Sequence, residues 1–230
     1  MINIVTSFYI SKQSSDLDGE RTEEIISALL NNIDCDIVEK IHLFVDDEDA
    51  LNKLNKIAGS DKIKVVGILK RPKYNDFFNY ILDNIPDKIC MITNSDIYIK
   101  EYDRRLLEML DDNKYLFTLT RHEHDLSCYW AENYYGSHDC YIFNSKFLDK
   151  NIINEHTDFN QNLPGIENQI ISSFCKNGFK AFNPCYQIKI VHLHKSDLRS
   201  YDSNKDFVGI PCGDYNGFRC QIYCVPPCHL

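Results

Sequence analysis

ICMITNSDIYI, residues 89–99, is the stretch whose reading decides the fold. Five of its first six residues are of the kind that fills a strand buried on both faces, as in a parallel sheet covered by helices. Asn94, Ser95 and Asp96 then interrupt it before apolar character resumes. A buried carboxylate without a partner is costly, so Asp96 needs a neutralising group or a place at a strand end where positive charge arrives.

Upstream, the same alternation of short apolar runs with amphipathic ones repeats. INIVTSFYI (2–10), IHLFVDD (41–47) and KIKVVGIL (62–69) read as strands. Between them, RTEEIISALLNNI (21–33) reads as a helix with Ile25, Ile26, Leu29, Leu30 and Ile33 on one face, and ALNKLNKI (50–57) as a shorter one. NDFFNYILDNI (75–85), closed by Pro86, is the helix leading into residues 89–99. Strands and helices alternating at this spacing predict βαβ units and a mainly parallel sheet, in which ligands bind at the carboxyl ends of the strands. Thr6-Ser7, Asp46-Asp47 and Asn94-Ser95-Asp96 converge on that rim.

Downstream the pattern is less regular. LFTLTRHE (116–123) and GSHDCYIFN (136–144) read as strands, with the aromatic CYWAENYY (128–135) as a loop between them. A polar stretch (149–164) precedes the helix GIENQIISSFCKNGF (165–179), with Gly178 as its C-cap, and then the strand QIKIVHLH (187–194). His192 and His194, two apart on a strand, point to the same face. An acid at one strand end and an imidazole at another can hold a divalent cation, leaving positions for water and a phosphate-bearing ligand.

The 230 residues are 43% hydrophobic and 26% charged, enough for one sizeable core in a globular protein. A formal charge of −9 argues against a nucleic-acid binder, because that affinity comes from clustered Lys and Arg. No run approaches the ~18 apolar residues of a membrane span, and the N-terminus lacks the order of a signal peptide. A cytoplasmic location is the expectation. Cys35, Cys90, Cys128, Cys140, Cys175 and Cys185 are scattered singly, as reduced thiols are.

The order of elements resembles the GT-A class of nucleotide-sugar-dependent glycosyltransferases over about residues 2–200, and the small size is similar to compact virus-encoded members. That likeness implies a doubly wound, mainly parallel mixed α/β sheet flanked by helices. Residues of about 1–100 would bind the nucleotide sugar and about 101–200 would form an irregular acceptor side; the likeness does not cover the Cys-rich tail, 201–230, which is expected to pack on the same domain. For a virus-encoded chain the location becomes the host cytoplasm. In that class a D-x-D motif on the fourth strand holds Mn2+ or Mg2+ against the diphosphate; here Asn94-Ser95-Asp96 stands in its place, so Asp96 matches the last acid and Asn94 departs from the first. The class also places an acid at a helix start, a K-x-G-[FY]-K turn into a strand, and a metal-binding His at that strand's end. GIENQIISSFCKNGFKAFNP followed by IVHLH resembles this, putting Glu167 at the acid position and His192 or His194 at the ligand position, with the run from His192 to Arg199 adding to the likeness.

What the resemblance implies is transfer of a sugar from a nucleoside diphosphate sugar, UDP- or GDP-type, to a hydroxyl of a glycan or glycoconjugate. Thr6, Ser7, Phe8, Arg21, Asp46, Arg71, Asn94, Ser95 and Asp96 would line the donor, and Asp96, His194 and His192 would hold the metal. Glu167 would act as base, with Asp139 as the second catalytic candidate. Simpler readings stand beside these. Asp46 and Asp47 can be N-caps, Arg21 a solvated first-turn residue, Asp139 the acceptor of an internal hydrogen bond, and Trp130 with Tyr129, Tyr134 and Tyr135 either a capping cluster or a sugar platform. His122, His124 and His138 have no diagnostic spacing. Cys212, Cys220, Cys224 and Cys228 with His229 fit zinc, disulfides or reduced thiols. Two other functions compete. One is a sugar nucleotidyltransferase, opposed by the lack of glycine in TSFYISK (6–12); the other is a non-catalytic sugar-nucleotide or glycan binder, favoured by Asn94.

Overall fold

A computed structural model of the chain describes residues 1–12, 19–45, 47–57, 59–67, 71–132, 137–153, 157–161, 163, 165–196 and 225–230. In chain order the elements are β1 (Ile2–Phe8), α1 (Glu20–Asp34), β2 (Val38–Val45), α2 (Glu48–Ile57), β3 (Ile63–Gly67), α3 (Tyr74–Asn84), β4 (Ile89–Thr93), β5 (Ile97–Glu101), α4 (Arg104–Asp112), β6 (Tyr115–Leu119), β7 (His122–Glu123), α5 (Tyr129–Glu132), β8 (Cys140–Asn144), α6 (Ile166–Lys176), β9 (Lys180–Phe182) and β10 (Lys189–His192). A 3-10 turn, Ser145–Phe147, follows β8.

Seven strands form one sheet in the order β3-β2-β1-β4-β8-β6-β9. The pairs β1–β2, β1–β4, β2–β3 and β6–β9 are parallel, and β8 runs antiparallel to β4 and β6. Because side chains alternate across a strand, each apolar run feeds two cores. Ile89 and Met91 of β4, with Cys140 and Ile142 of β8, pack with Ile25 and Leu29 of α1 and Leu106, Leu107 and Leu110 of α4. Cys90 and Ile92, with Tyr141 and Phe143, pack on the other face with Phe77, Phe78 and Ile81 of α3 and Ile170, Ile171 and Phe174 of α6. The fold is thus an α/β, mainly parallel mixed sheet with helices on both faces, as the sequence predicts.

Several boundaries differ from the sequence reading. Residues 89–99 form two strands: Asn94, Ser95 and Asp96 make a turn in which Ile97 N donates to Asn94 O at 3.3 Å. After it, β5 joins a separate three-stranded sheet, order β5-β10-β7. LFTLTRHE likewise splits between β6 in the large sheet and β7 in the small one. The predicted strand from 136 begins at Cys140, and the predicted loop at 128–135 contains the short helix α5. β10 ends at His192, so His194 lies two residues beyond it. Two elements went unread: α4, which Asp103 caps by accepting from Arg105 N at 2.9 Å, and the three-residue β9.

The buried Asn32 joins α1 to the small sheet, donating to Ile97 O at 2.8 Å and accepting from Ile99 N at 3.1 Å. Replacing it by Ala orphans two buried backbone groups. Asn32→Ala is therefore expected to cost roughly 2 to 4 kcal/mol in urea unfolding, with the slope unchanged.

At the chain's end, Asn183 Nδ2 donates to Val225 O at 2.9 Å and Cys228 N donates to Asn183 O at 2.9 Å, fixing residues 225–228 beside β9. Cys212, Cys220 and Cys224 lie outside the described residues. The described cysteines, Cys35, Cys90, Cys128, Cys140, Cys175, Cys185 and Cys228, are free thiols. No described helix is long and apolar enough to cross a membrane.

Candidate functional site

Parallel β1 and β4 end at the same edge of the sheet, and β8, antiparallel to β4, begins there. That topology brings Thr6-Ser7, Asn94-Ser95-Asp96 and Asp139 to one rim. Hydrogen bonds tie them together. Thr6 Oγ1 donates to Thr93 O at 2.8 Å, the Ser7 and Ser95 hydroxyls meet at 2.9 Å, and Thr93 Oγ1 donates to Asp139 O at 3.3 Å. Gln161 spans the group, with Nε2 donating to Thr93 O at 3.1 Å and Oε1 accepting from Ser7 Oγ at 3.1 Å. Asn94 and Ser95 are partly exposed at the turn, whereas the Phe8 side chain is buried in the first core.

The small sheet completes the surroundings of Asp96. β10 pairs antiparallel with β5, setting His192 opposite Ile97, and Leu193 N donates to Asp96 O at 2.9 Å. The Asp96 side chain is 3% exposed. Its Oδ2 lies 2.6 Å from Arg21 Nη2, 2.9 Å from His192 Nε2 and 3.7 Å from His194 Nδ1. The two imidazoles stack, with centroids 5.0 Å apart and planes at 14°. Burial works against the charged carboxyl, but His192, His194 and the Arg21 guanidinium outweigh it and hold Asp96 well below the usual carboxylate range. Asp96 Oδ1 is buried with no hydrogen-bond partner among the described residues. One ligand atom from each of Asp96, His192 and His194 falls within 4.8 Å of the others, so the three could hold a metal ion.

A second charged group stands around β8. Asp139 Oδ1 accepts from Arg121 Nη1 at 3.0 Å and Oδ2 accepts from Ser137 Oγ at 2.7 Å, while Arg121 Nε donates to Glu123 Oε1 at 3.3 Å. Glu167 is the second residue of α6, after Gly165, whose φ of 89° lies in the left-handed region. Partly buried, Glu167 has its carboxyl pushed up to about 7 by desolvation. Accepted backbone bonds from its own amide and from Gly165 oppose the shift, the Asp139 charge adds to it, and Arg121 opposes it. Burial raises the Tyr74 and Tyr141 phenols, and the Glu167 and Asp139 charges add to the shift.

The other predicted residues fall as follows. Arg21 is buried in the Asp96 cluster rather than solvated, and is also paired with Glu24 Oε2 at 3.1 Å. Arg71 is exposed, its Nη2 donating to Gln161 O at 3.5 Å. Asp47 caps α2, accepting from Ala50 N at 2.7 Å. Asp46 and Arg199 lie outside the described residues, as do Tyr134, Tyr135 and the side chains of Tyr129 and Trp130. Three site residues were missed. Arg121, a charge inside a strand-like run, carried a signal, as did Glu24, three residues after Arg21; Gln161, in a polar stretch, carried none.

No family model matches the chain, and no curated protein matches it by sequence. Solved structures do resemble it. The mannosyltransferase PcManGT of Pyrobaculum calidifontis, in complex with GDP-Man and Mn2+, is 12% identical with a TM-score of 0.54, covering 84% of this chain and 56% of that one. S. aureus TarS 1-349 in complex with UDP-GlcNAc is 11% identical with a TM-score of 0.54, covering 90% of this chain and 62% of that one. The inositol-1-phosphate CTP transferase of T. maritima is 11% identical with a TM-score of 0.53, covering 86% and 91%. This chain therefore spans little more than half the length of the first two. At these identities the likeness establishes the fold: a GT-A-like architecture of the kind found in nucleotide-sugar transferases.

Proposed function

We propose that this chain is a metal-dependent glycosyltransferase that moves a sugar from a nucleoside diphosphate sugar to a hydroxyl of a glycan or glycoconjugate. The observation that carries the reading is the Asp96 carboxylate with the His192 and His194 imidazoles beside it at the carboxyl rim of the sheet. Two neighbours of the same fold hold GDP-Man with Mn2+ and UDP-GlcNAc, which supports a donor of this class.

The donor set fits a divalent cation. Asp96 Oδ1 is a buried acceptor with no hydrogen-bond partner among the described residues, and two imidazoles beside it favour Mn2+ over Mg2+. When bound, such an ion stabilises the charge of the departing diphosphate. The chain's own residues do the rest. The Ser7 and Ser95 hydroxyls and the exposed Arg71 offer donor contacts along the rim, and Glu167 takes the proton of the acceptor hydroxyl. Arg121 and Ser137 fix Asp139 as a charged neighbour of that base.

Thermal unfolding with UDP- and GDP-sugars, with and without Mn2+, tests this. The cognate donor at 100 times its dissociation constant should stabilise by about 2.7 kcal/mol with Mn2+ and far less in chelator. Equal stabilisation in chelator would remove the metal from the site. The likeness to a CTP transferase favours nucleotidyl transfer as a second reading, but no glycine stands in residues 6–12 to admit a triphosphate. Stabilisation by CTP or UTP with a sugar phosphate, and not by nucleotide sugars, would establish that reading instead.

A further inference from the structure

Arg21 is a buried positive charge paired with Asp96. Its side chain is 8% exposed, with Nη2 2.6 Å from Asp96 Oδ2 and Nη1 3.1 Å from Glu24 Oε2. Nη1 also lies 2.9 Å from His194 Nδ1 and donates to Leu193 O at 3.3 Å. Glu24 is held in turn by Ser196, whose N and Oγ donate to its two oxygens at 2.9 and 3.0 Å. The guanidinium is therefore fixed by several partners, and guanidinium does not deprotonate in proteins.

A divalent ion held by Asp96, His192 and His194 would sit beside this fixed positive charge. Among the described residues, with the imidazoles counted as neutral ligands, Arg21 (+1), Asp96 (−1) and Glu24 (−1) sum to −1, which is too little to neutralise an ion of charge +2. The deficit is made in a site largely removed from water, where like charges repel strongly. A nucleoside diphosphate brings the missing negative charge.

We propose that Arg21 is the resident counter-cation of this site and makes metal binding depend on the diphosphate of the donor. The inference rests on the glycosyltransferase reading above and adds to it an order: metal and nucleotide bind together, each weakly alone. Because coupling is reciprocal, one factor describes the gain in either affinity.

Free Mn2+ measured by electron paramagnetic resonance gives the affinity of wild type, Arg21→Gln and Glu24→Gln, each alone and with UDP or GDP. Without nucleotide, Arg21→Gln should bind Mn2+ about tenfold or more tightly than wild type, and its enhancement by nucleotide should shrink by a similar factor. Loss of a merely structural arginine would weaken binding or leave it unmoved, and either result overturns the inference. Glu24→Gln keeps Arg21 and removes its compensating charge, so it should loosen Mn2+ by about tenfold. An unchanged affinity there counts against Arg21 equally, which keeps the test decisive if Arg21→Gln fails to fold. Wild type that binds Mn2+ equally well with and without UDP and GDP overturns the coupling but leaves the metal site standing. No Mn2+ binding by any form, with or without nucleotide, overturns the metal-dependent reading and this inference with it.

Discussion

Glu167→Gln is expected to lower single-turnover transfer by roughly 10²-fold or more while donor affinity stays near wild type. Glutamine keeps the size of the side chain and its acceptor oxygen for the amides of residues 165 and 167 but cannot take a proton. The carboxyl stands near 7 because desolvation and the Asp139 charge outweigh the accepted bonds and Arg121. Transfer by the wild type should accordingly rise with pH through about 7, as the base loses its proton, and the Gln variant should lack that rise.

The same group gives an independent readout in stability. A carboxyl whose folded value is raised from 4.5 to about 7 favours the folded state below 4.5, and that advantage is lost as pH rises through about 7. At pH 8 the wild type thus carries an ionised, poorly solvated carboxylate, at a cost on the order of 3 kcal/mol. Glu167→Gln should be more stable than wild type at pH 8 and lose this advantage by pH 4. A helix-start acid serving only backbone donors and the dipole predicts the opposite sign at pH 8, a loss of about 0.3 to 1 kcal/mol, with turnover unmoved. Unchanged turnover would move the role of base to Asp139, the neighbouring carboxylate.

Asp96→Asn is expected to abolish the Mn2+-dependent part of donor binding and to destabilise the fold by about 3 to 5 kcal/mol, because it removes one partner of a buried ion pair. Arg21 keeps Glu24 but loses the carboxylate 2.6 Å from Nη2. The sign of the acid dependence separates this loss from general damage. The folded Asp96 carboxyl is depressed, so its contribution is present above about 4, its unfolded value, and is lost as pH falls through the folded value. Urea unfolding between pH 7 and pH 3 should show the difference between wild type and Asp96→Asn narrowing on the acid side. A difference constant with pH would remove the ion pair as its source, and Mn2+-dependent donor binding retained in the variant would exclude Asp96 as a ligand.

The alternation of buried strands and amphipathic helices was legible because the inner strands of the large sheet, β1, β2, β4 and β8, are covered on both faces, so their residues are almost all apolar and their helical neighbours are periodic. β1, β2, β4, α1, α3 and α6 follow from that alone, and so does the gathering of Thr6, Ser7 and Asp96 at one rim, since parallel strands share their carboxyl edge. What the sequence could not state is which strand pairs with which. Residues 89–99 and 116–123 each read as one strand because apolar character continues through them, yet both cross from one sheet to the other, and only pairing to β10 separates their halves. That crossing sets His192 against Asp96 from 96 residues away and lets Arg21, on a helix whose pattern suggests a solvated first turn, supply the buried counter-charge. Gln161 is the extreme case: a polar residue in a polar stretch, it becomes the bridge across Ser7 and Thr93 only because the chain folds back over the rim. Local sequence determines periodicity and burial; partners far apart along the chain are fixed by close packing and by the need of each buried charge and hydrogen-bonding group for a partner, and those are properties of the assembled fold.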